Sequence, residues 1–332
     1  MSKKLKFLWV DDDPQREQEA ENIKTRFKID MEFIDVKDKD LQNELNSILS
    51  KGEPDLILMD HWLNKVKNKR FKKGSTAAEV IREDWPTCPI VCVTGVKLSD
   101  IDYHKKSLYE EVIEFHNISD HYKTILSIAS SFQRMKKNPP QSVKDFIDLL
   151  DVPEVEIERL HAVIPDDLKA GDFYSGKHNS LLLSISEWVK KTLIARPGFL
   201  YDRMWAATLA GIKDDSFFKV EEIFKPAMYK GIFADEGNER WWQSKIREIL
   251  FSRFPENESV YPWELGRLLP GLKESDFSGC RPGVDCPDTV AFTDEKADKD
   301  SRIQIPLRDT VPHPNFEKSL FFEEIRMMKG KE

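Results

Sequence analysis

Three places in this 332-residue sequence carry residue types that could do chemistry together. The triplet Asp11-Asp12-Asp13 follows the apolar run LKFLWV, Asp60 follows DLILM, and Thr94 follows PIVCV. Two or three carboxylates within hydrogen-bonding range hold a hard divalent cation such as Mg2+, which prefers oxygen ligands and keeps several waters. An aspartate in such a group can attack a phosphoryl group while the metal neutralises charge on the transferring oxygens. A nearby threonine hydroxyl can then hydrogen-bond the acyl phosphate. Taken singly, an aspartate at a strand end serves equally well as a turn residue or a helix cap. The weight comes from all three lying at matching ends of one repeating pattern.

That pattern is an alternation of short apolar runs and amphipathic segments over the first ~137 residues. Leu5–Val10, Met31–Val36, Asp55–Met59, Pro89–Val93 and Glu111–Phe115 read as strands. Between them, helices are expected from about Pro14 to Phe27, after Asp40, over Gly74–Asp84 and from about Ser99 to Tyr109. A last helix is expected over Ile118–Met135, with Ile118, Tyr122, Ile125, Leu126, Ala129 and Phe132 on one stripe. Five strand–helix units in series require crossover connections, hence a parallel sheet with helices on both faces. Ligands of such sheets bind at the carboxyl ends of the strands, near the topological switch point. The acidic triplet, Asp60 and Thr94 all fall at those ends.

In order and spacing, FLWVDDDPQ, DLILMDHWL and PIVCVTG resemble the receiver domain of two-component response regulators, over about residues 1–136. The segment KGSTAAEVIRE is similar to the third helix of receivers, with Gly74 at their glycine. The resemblance implies a flavodoxin-like (βα)5 fold with sheet order 2-1-3-4-5. It assigns Asp11 and Asp12 to the metal-binding acidic pair, Asp60 to the phosphoacceptor and third metal ligand, and Thr94 to the switch hydroxyl. It also implies Mg2+ as cofactor and a histidine kinase or another phosphodonor protein as partner. Three departures stand out. Receivers carry Lys-Pro after strand five, the lysine pairing with phosphoryl oxygens, whereas this sequence has His116-Asn117. The aromatic switch position of that strand falls on Ile113. The loop after Asp60, HWLNKVKNKRFKK, is also several residues longer than usual. Two readings stay open: an atypical phosphorylatable receiver, and a pseudo-receiver kept as a docking module.

Lys136–Ser142 holds two prolines that cannot continue a helix, so residues 137–142 are expected to link the receiver-like domain to a second, mainly α-helical domain over 143–332. Ser142 and Asp145 form a near capping box for its first helix. Helices are expected over Leu181–Ile194, from Pro197 to about Gly211, over Arg240–Phe254 and over Asn315–Met328, with Val220–Phe224 either strand or short helix. A small hairpin is expected from Thr289–Phe292 and Arg302–Leu307. Of the tandem Trp241-Trp242, one ring is a candidate exposed anchor for a protein partner.

Charge narrows the output. The first 137 residues hold 24 Lys+Arg and 24 Asp+Glu, so the net −8 lies wholly in the remainder. A DNA-reading module needs a basic face, which makes nucleic acid an unlikely partner here. The densest basic run, Lys65, Lys67, Lys69, Arg70, Lys72 and Lys73, reads as a solvated loop or a contact for an anion or acidic partner. No stretch approaches the ~18 apolar residues of a membrane span, and the apolar run Phe7–Val10 is too short for a secretory signal. A cytoplasmic address is expected, and no membrane partner. Cys88 and Cys92 read as core residues, Cys280 and Cys286 as loop or core thiols. A receiver-gated hydrolase or nuclease is the alternative function. It would need His161, His178, His313, Asp166, Asp167, Asp172 or the Cys280/Cys286 pair to converge on one centre. A helical DNA-binding transcriptional regulator is the second alternative.

Overall fold

The computed structural model describes residues 4–50, 52–67, 72–169, 178–235, 237–257, 261–277, 290–292 and 304–306. Five strands form the sheet, β1 (Lys6–Asp11), β2 (Asp30–Asp35), β3 (Leu56–Asp60), β4 (Ile90–Thr94) and β5 (Glu111–Glu114). They pair in parallel in the order β2-β1-β3-β4-β5, the flavodoxin-like arrangement that the receiver resemblance implies. β3 and β4 are buried at every residue, as strands covered on both faces must be. The connecting helices are α1 (Glu17–Phe27), α2 (Leu41–Ser50), α3 (Gly74–Asp84), α4 (Tyr103–Lys106) and α5 (Tyr122–Lys137). Asp40 caps α2 by accepting from the Gln42 amide at 3.0 Å. Cys88 and Cys92 are free thiols buried in the core.

Register fixes the functional edge. Val10 lies beside Met59, Asp60 beside Val93, and Thr94 beside Glu114. The residues after these pairs therefore leave the sheet together at its carboxyl end.

Several helices differ from expectation. The segment before α1 is a 3-10 turn, Pro14–Arg16, because Asp13 caps it through the Gln15 amide. The helix expected over Ser99–Tyr109 is broken into a 3-10 turn at Leu98–Asp100 and the four-residue α4. Ile101 between them is extended, and its side chain is buried instead of continuing a helical stripe. Residues Phe115–His121 are 3-10, so α5 starts at Tyr122.

Two compact units divide the chain, and neither ends at the expected linker. Pro139 and Pro140 do interrupt the helices, and Ser142 caps α6 (Val143–Leu149) by accepting from the Asp145 amide at 3.1 Å. The first unit nevertheless runs through Leu150 and adds Ile164–Val189 and Gly231–Gly237. The reason lies in α5, which carries Thr124, Ser127 and Ser131 along one side. Ser131 Oγ accepts from the Phe233 amide at 2.6 Å, Ser127 Oγ donates to the Ala234 carbonyl at 2.7 Å, and Thr124 Oγ1 donates to the Asp235 carboxylate. The Phe233 ring meets Phe132 edge-on at 5.9 Å. Phe146 of α6 is fully buried and packs edge-on against Trp188, the last residue of α7 (His178–Trp188). The winding then continues as a π-helix over Val189–Ile194, at the end of the helix expected there.

The second unit comprises Asp151–Val163, Lys190–Lys230 and Asn238–Glu332. Where a helix was expected from Pro197, the chain makes the short strand β6 (Leu200–Tyr201). Asp202 then caps a new helix, α8 (Arg203–Leu209), accepting from the Trp205 amide at 2.9 Å. Trp241-Trp242 is a two-residue strand, β7, antiparallel to β6, and not the first turn of α9 (Gln243–Arg253). Both rings are therefore inside, at 1% and 2% exposure: Trp241 meets Phe217 and Trp242 meets Tyr229. Alternate strand residues point to opposite faces, and here both faces are covered. Neither tryptophan is an exposed anchor. Val220–Phe224 yields a short helix over Glu221–Phe224. Val290–Phe292 and Gln304–Pro306 pair antiparallel, giving the small hairpin. The helix expected over Asn315–Met328 lies outside the described residues. No helix among those described is long and apolar enough to cross a membrane.

Candidate functional site

Asp11 is the last residue of β1 and is fully buried. Its Oδ1 accepts from the Asp13 amide at 2.8 Å, and its Oδ2 accepts from the Trp9 indole at 3.3 Å and from Arg16 Nη1 at 2.9 Å. Asp12, also buried, accepts through Oδ2 from the Lys65 amide at 2.6 Å. Asp60 closes β3 with its carboxylate buried, and its Oδ1 lies 3.5 Å from Arg16 Nη1. One carboxylate oxygen from each of Asp11, Asp12 and Asp60 can be chosen so that all three lie within 4.8 Å of one another. These three form the one group suited to a metal ion among the described residues.

Two of these buried carboxylates, Asp11 and Asp60, resist ionisation. Burial pushes Asp11 up to about 6, partly offset by the Arg16 charge. Asp60 is pushed up to about 7, first by burial and then by the Asp11 charge beside it. An unbalanced buried cluster of this kind is what a divalent cation relieves, and an all-oxygen donor set is the one Mg2+ prefers. The residues fit the ion.

Thr94, at the end of β4, is fully buried, and its Oγ1 accepts from the Val96 amide at 3.2 Å. The long loop after Asp60 explains how Asp12 is held. It doubles back on itself, Leu63 donating to the Lys72 carbonyl at 3.0 Å with Trp62 bridged to Lys73. Its middle reaches the start of α2, where the Asp38 amide donates to the Lys65 carbonyl at 2.8 Å and Lys67 donates to Lys39 at 2.9 Å. The Lys65 backbone is thereby carried over β1 to Asp12. Of the basic run, Lys65 Nζ comes 4.0 Å from Asp13, and the Lys73 ammonium sits over the Trp62 ring at 4.9 Å. Lys69 and Arg70 lie outside the described residues.

Gly74 opens α3 against the site. A Cβ there would stand 2.0 Å from the Asp60 carbonyl oxygen and 2.8 Å from the Met59 side chain. Only glycine lets the helix start so close to the end of β3, which supplies the physical reason for the residue singled out in the sequence. Gly74→Ala is expected to cost about 3 kcal/mol, the upper end for a forced overpacking, seen as a lower urea midpoint at unchanged m-value.

The departures at strand five are also visible. His116 is 72% exposed and its Nε2 pairs with Glu114 at 3.3 Å. Ile113 is buried in β5. The Phe115 ring packs 6.2 Å from that of Trp9 and lies under the Arg16 guanidinium at 4.5 Å. Sequence reasoning passed over Arg16, Phe115 and the Lys65 amide. The one available signal for Arg16 was a basic residue five positions after Asp11, in the first turn following the acidic triplet.

The alternative metal centre in the second half has little to show. Cys280, Cys286, Asp172 and His313 lie outside the described residues, as does the His178 side chain. Among those described, His161, Asp166 and Asp167 do not join any metal-holding group.

No protein-family model matches this chain, and no curated protein matches it. Solved structures do. A CheY-like response regulator receiver domain from Methanospirillum hungatei is 16% identical, matching 40% of this chain and 98% of its own, at a TM-score of 0.32. The response regulator TrrA from Thermotoga maritima, solved with Mg2+ and BeF, is 20% identical over 36% of this chain and 98% of its own, at 0.29. A two-component response regulator from Clostridium difficile is 21% identical over 37% and 96%, at 0.29. Each is similar to part of this chain.

Proposed function

We propose that this protein is a response-regulator-like signalling protein whose N-terminal sheet accepts a phosphoryl group on Asp60 from a histidine kinase or another phosphodonor. The observation that carries the reading is the buried trio Asp11, Asp12 and Asp60 at the carboxyl edge of a 2-1-3-4-5 parallel sheet. Those three carboxylates would hold Mg2+, which supplies charge neutralisation for the transferring oxygens. The chain's own residues do the rest. The Asp60 carboxylate is the nucleophile, and the Lys65 amide fixes one oxygen of Asp12 so that the acidic pair keeps its orientation. The fully buried Thr94 hydroxyl stands at the end of the strand beside Asp60 to hydrogen-bond the new acyl phosphate. The acidic C-terminal part acts as a protein-interaction output in this scheme, in the cytoplasm.

A second reading, a pseudo-receiver that docks without transfer, is favoured by His116-Asn117, since the exposed His116 supplies no charge to the cluster. Intact mass separates the two. With Mg2+ and acetyl phosphate, wild type is expected to gain about 80 Da, one phosphoryl group, and Asp60→Ala to gain nothing. Wild type that stays at its starting mass under every donor tried leaves the docking reading in possession.

A further inference from the structure

Arg16 is placed by its surroundings with more care than a surface arginine needs. Its Nη1 bonds Asp11 Oδ2 at 2.9 Å, lies 3.5 Å from Asp60 Oδ1, and donates to the Val93 carbonyl at 3.4 Å. The guanidinium rests on the Phe115 ring at 4.5 Å. A Cβ on Gly95, the residue after Thr94, would stand 3.2 Å from Nη2, so the small residue there makes room for the group. Contributions from β1, β3, β4 and the turn after β5 thus converge on one cation, whose side chain is 12% exposed. Meanwhile His116, after β5, points to solvent and pairs with Glu114.

We infer that Arg16 is the cation that binds the phosphoryl group on Asp60, supplied from the turn before α1 and not from the strand-five edge. The inference rests on the acceptor reading above. Its electrostatic basis is simple. A divalent ion set against two carboxylates and a phosphoryl dianion leaves negative charge uncompensated in a buried site, and such charge is costly. One guanidinium removes half of it. Among the described residues, the hydrogen bonds of this guanidinium run through Nη1, so Nη2, above Gly95 at the end of β4, is available for a second oxygen. Arginine's planar fork binds two phosphoryl oxygens at once, which a single ammonium does not. The Phe115 face holds the group in place by cation–π attraction.

The transfer itself balances without further reagents. With acetyl phosphate as donor, an Asp60 carboxylate oxygen forms the new P–O bond as the P–O bond to acetate breaks. Acetate leaves with the bonding pair, and no proton moves. Arg16 exchanges its long contact with Asp60 for the incoming phosphoryl oxygens.

The test uses the full chain with Mg2+, comparing wild type, Arg16→Met and Arg16→Lys. Methionine keeps the apolar stem against Phe115 and removes the charge; lysine keeps the charge and removes the fork. Three quantities are read: labelling rate by intact mass, binding of beryllofluoride as a phosphoryl mimic, and Mg2+ affinity by calorimetry. Arg16→Met is expected to label about 100-fold more slowly, the loss typical of one transition-state donor. It should also lose beryllofluoride while binding Mg2+ at least as well as wild type. Arg16→Lys should recover part of the rate. Labelling of Arg16→Met at the wild-type rate overturns the role of Arg16 and leaves the acceptor reading standing. Loss of Mg2+ binding together with labelling shows a structural role and also overturns it. Wild type that takes neither phosphoryl nor beryllofluoride overturns both.

Discussion

Mg2+ affinity is expected to fall about 1000-fold between pH 8 and pH 5, measured by calorimetry on the intact chain. A metal-binding carboxylate must be ionised, so protons compete with the ion. With Asp60 near 7 and Asp11 near 6, both are almost fully ionised at pH 8. At pH 5 the first is ionised about one time in a hundred and the second about one in ten, and the two factors multiply. Ordinary surface aspartates, titrating near 4, would lose about tenfold or less over the same range. A flat profile would mean that the cluster is more open to water than its burial implies. The steepness therefore reports whether the carboxylates are held together or apart.

The same reluctance to ionise makes the metal-free cluster a source of instability at neutral pH. A carboxyl raised from 3.8 to about 7 in the folded chain takes up a proton that the unfolded chain does not hold. The stability this contributes is fully present below about pH 4 and is lost as pH rises through 7. Asp60→Asn mimics the neutral form at every pH. It is therefore expected to stabilise the chain by roughly 2–4 kcal/mol at pH 8 without Mg2+, since each tenfold difference in proton affinity between folded and unfolded chain is worth about 1.4 kcal/mol. The gain should vanish at pH 4, where wild type is neutral as well. Saturating Mg2+ should shrink it at pH 8, since wild type then gains about 2.7 kcal/mol at a hundredfold excess over Kd. Urea melts at the two pH values, with and without the ion, read all four corners. Destabilisation at pH 8 would show that the Arg16–Asp60 attraction outweighs the cost of burial.

The two experiments and the Arg16 variants bear on different links. The pH profile asks whether the carboxylates form one buried group. Asp60→Asn asks what that group costs the fold. The Arg16 series asks what cation answers a phosphoryl group once the strand-five lysine is missing.

Much of the first unit was legible in the sequence because buried parallel strands are written as short, continuous apolar runs. LKFLWV, DLILM and PIVCV announce themselves, and the polar residue that ends each run must lie at the sheet edge. Asp11, Asp60 and Thr94 could be placed on that edge without coordinates, and Gly74 could be singled out though its close approach to the Asp60 carbonyl could not be seen. The broken helix around Ile101 was less legible, because a buried isoleucine in a polar segment satisfies a helix stripe and an extended link equally well. The Trp241-Trp242 pair failed for a related reason. Helical spacing assumed an exposed side, but pairing with Leu200 and Tyr201 made it a strand with both faces covered.

What the chain alone determined is therefore local: which residues end each strand, and that oxygen donors gather there, since periodicity and burial are properties of neighbours. Tertiary structure decided the rest, because it joins residues that no spacing rule connects. It brought Gly231–Gly237 back onto α5, carried the Lys65 amide to Asp12, and set one arginine between two aspartates and a phenylalanine ring. Those placements depend on the directions in which turns and loops leave the sheet, and such directions emerge only when every strand has packed against its neighbours.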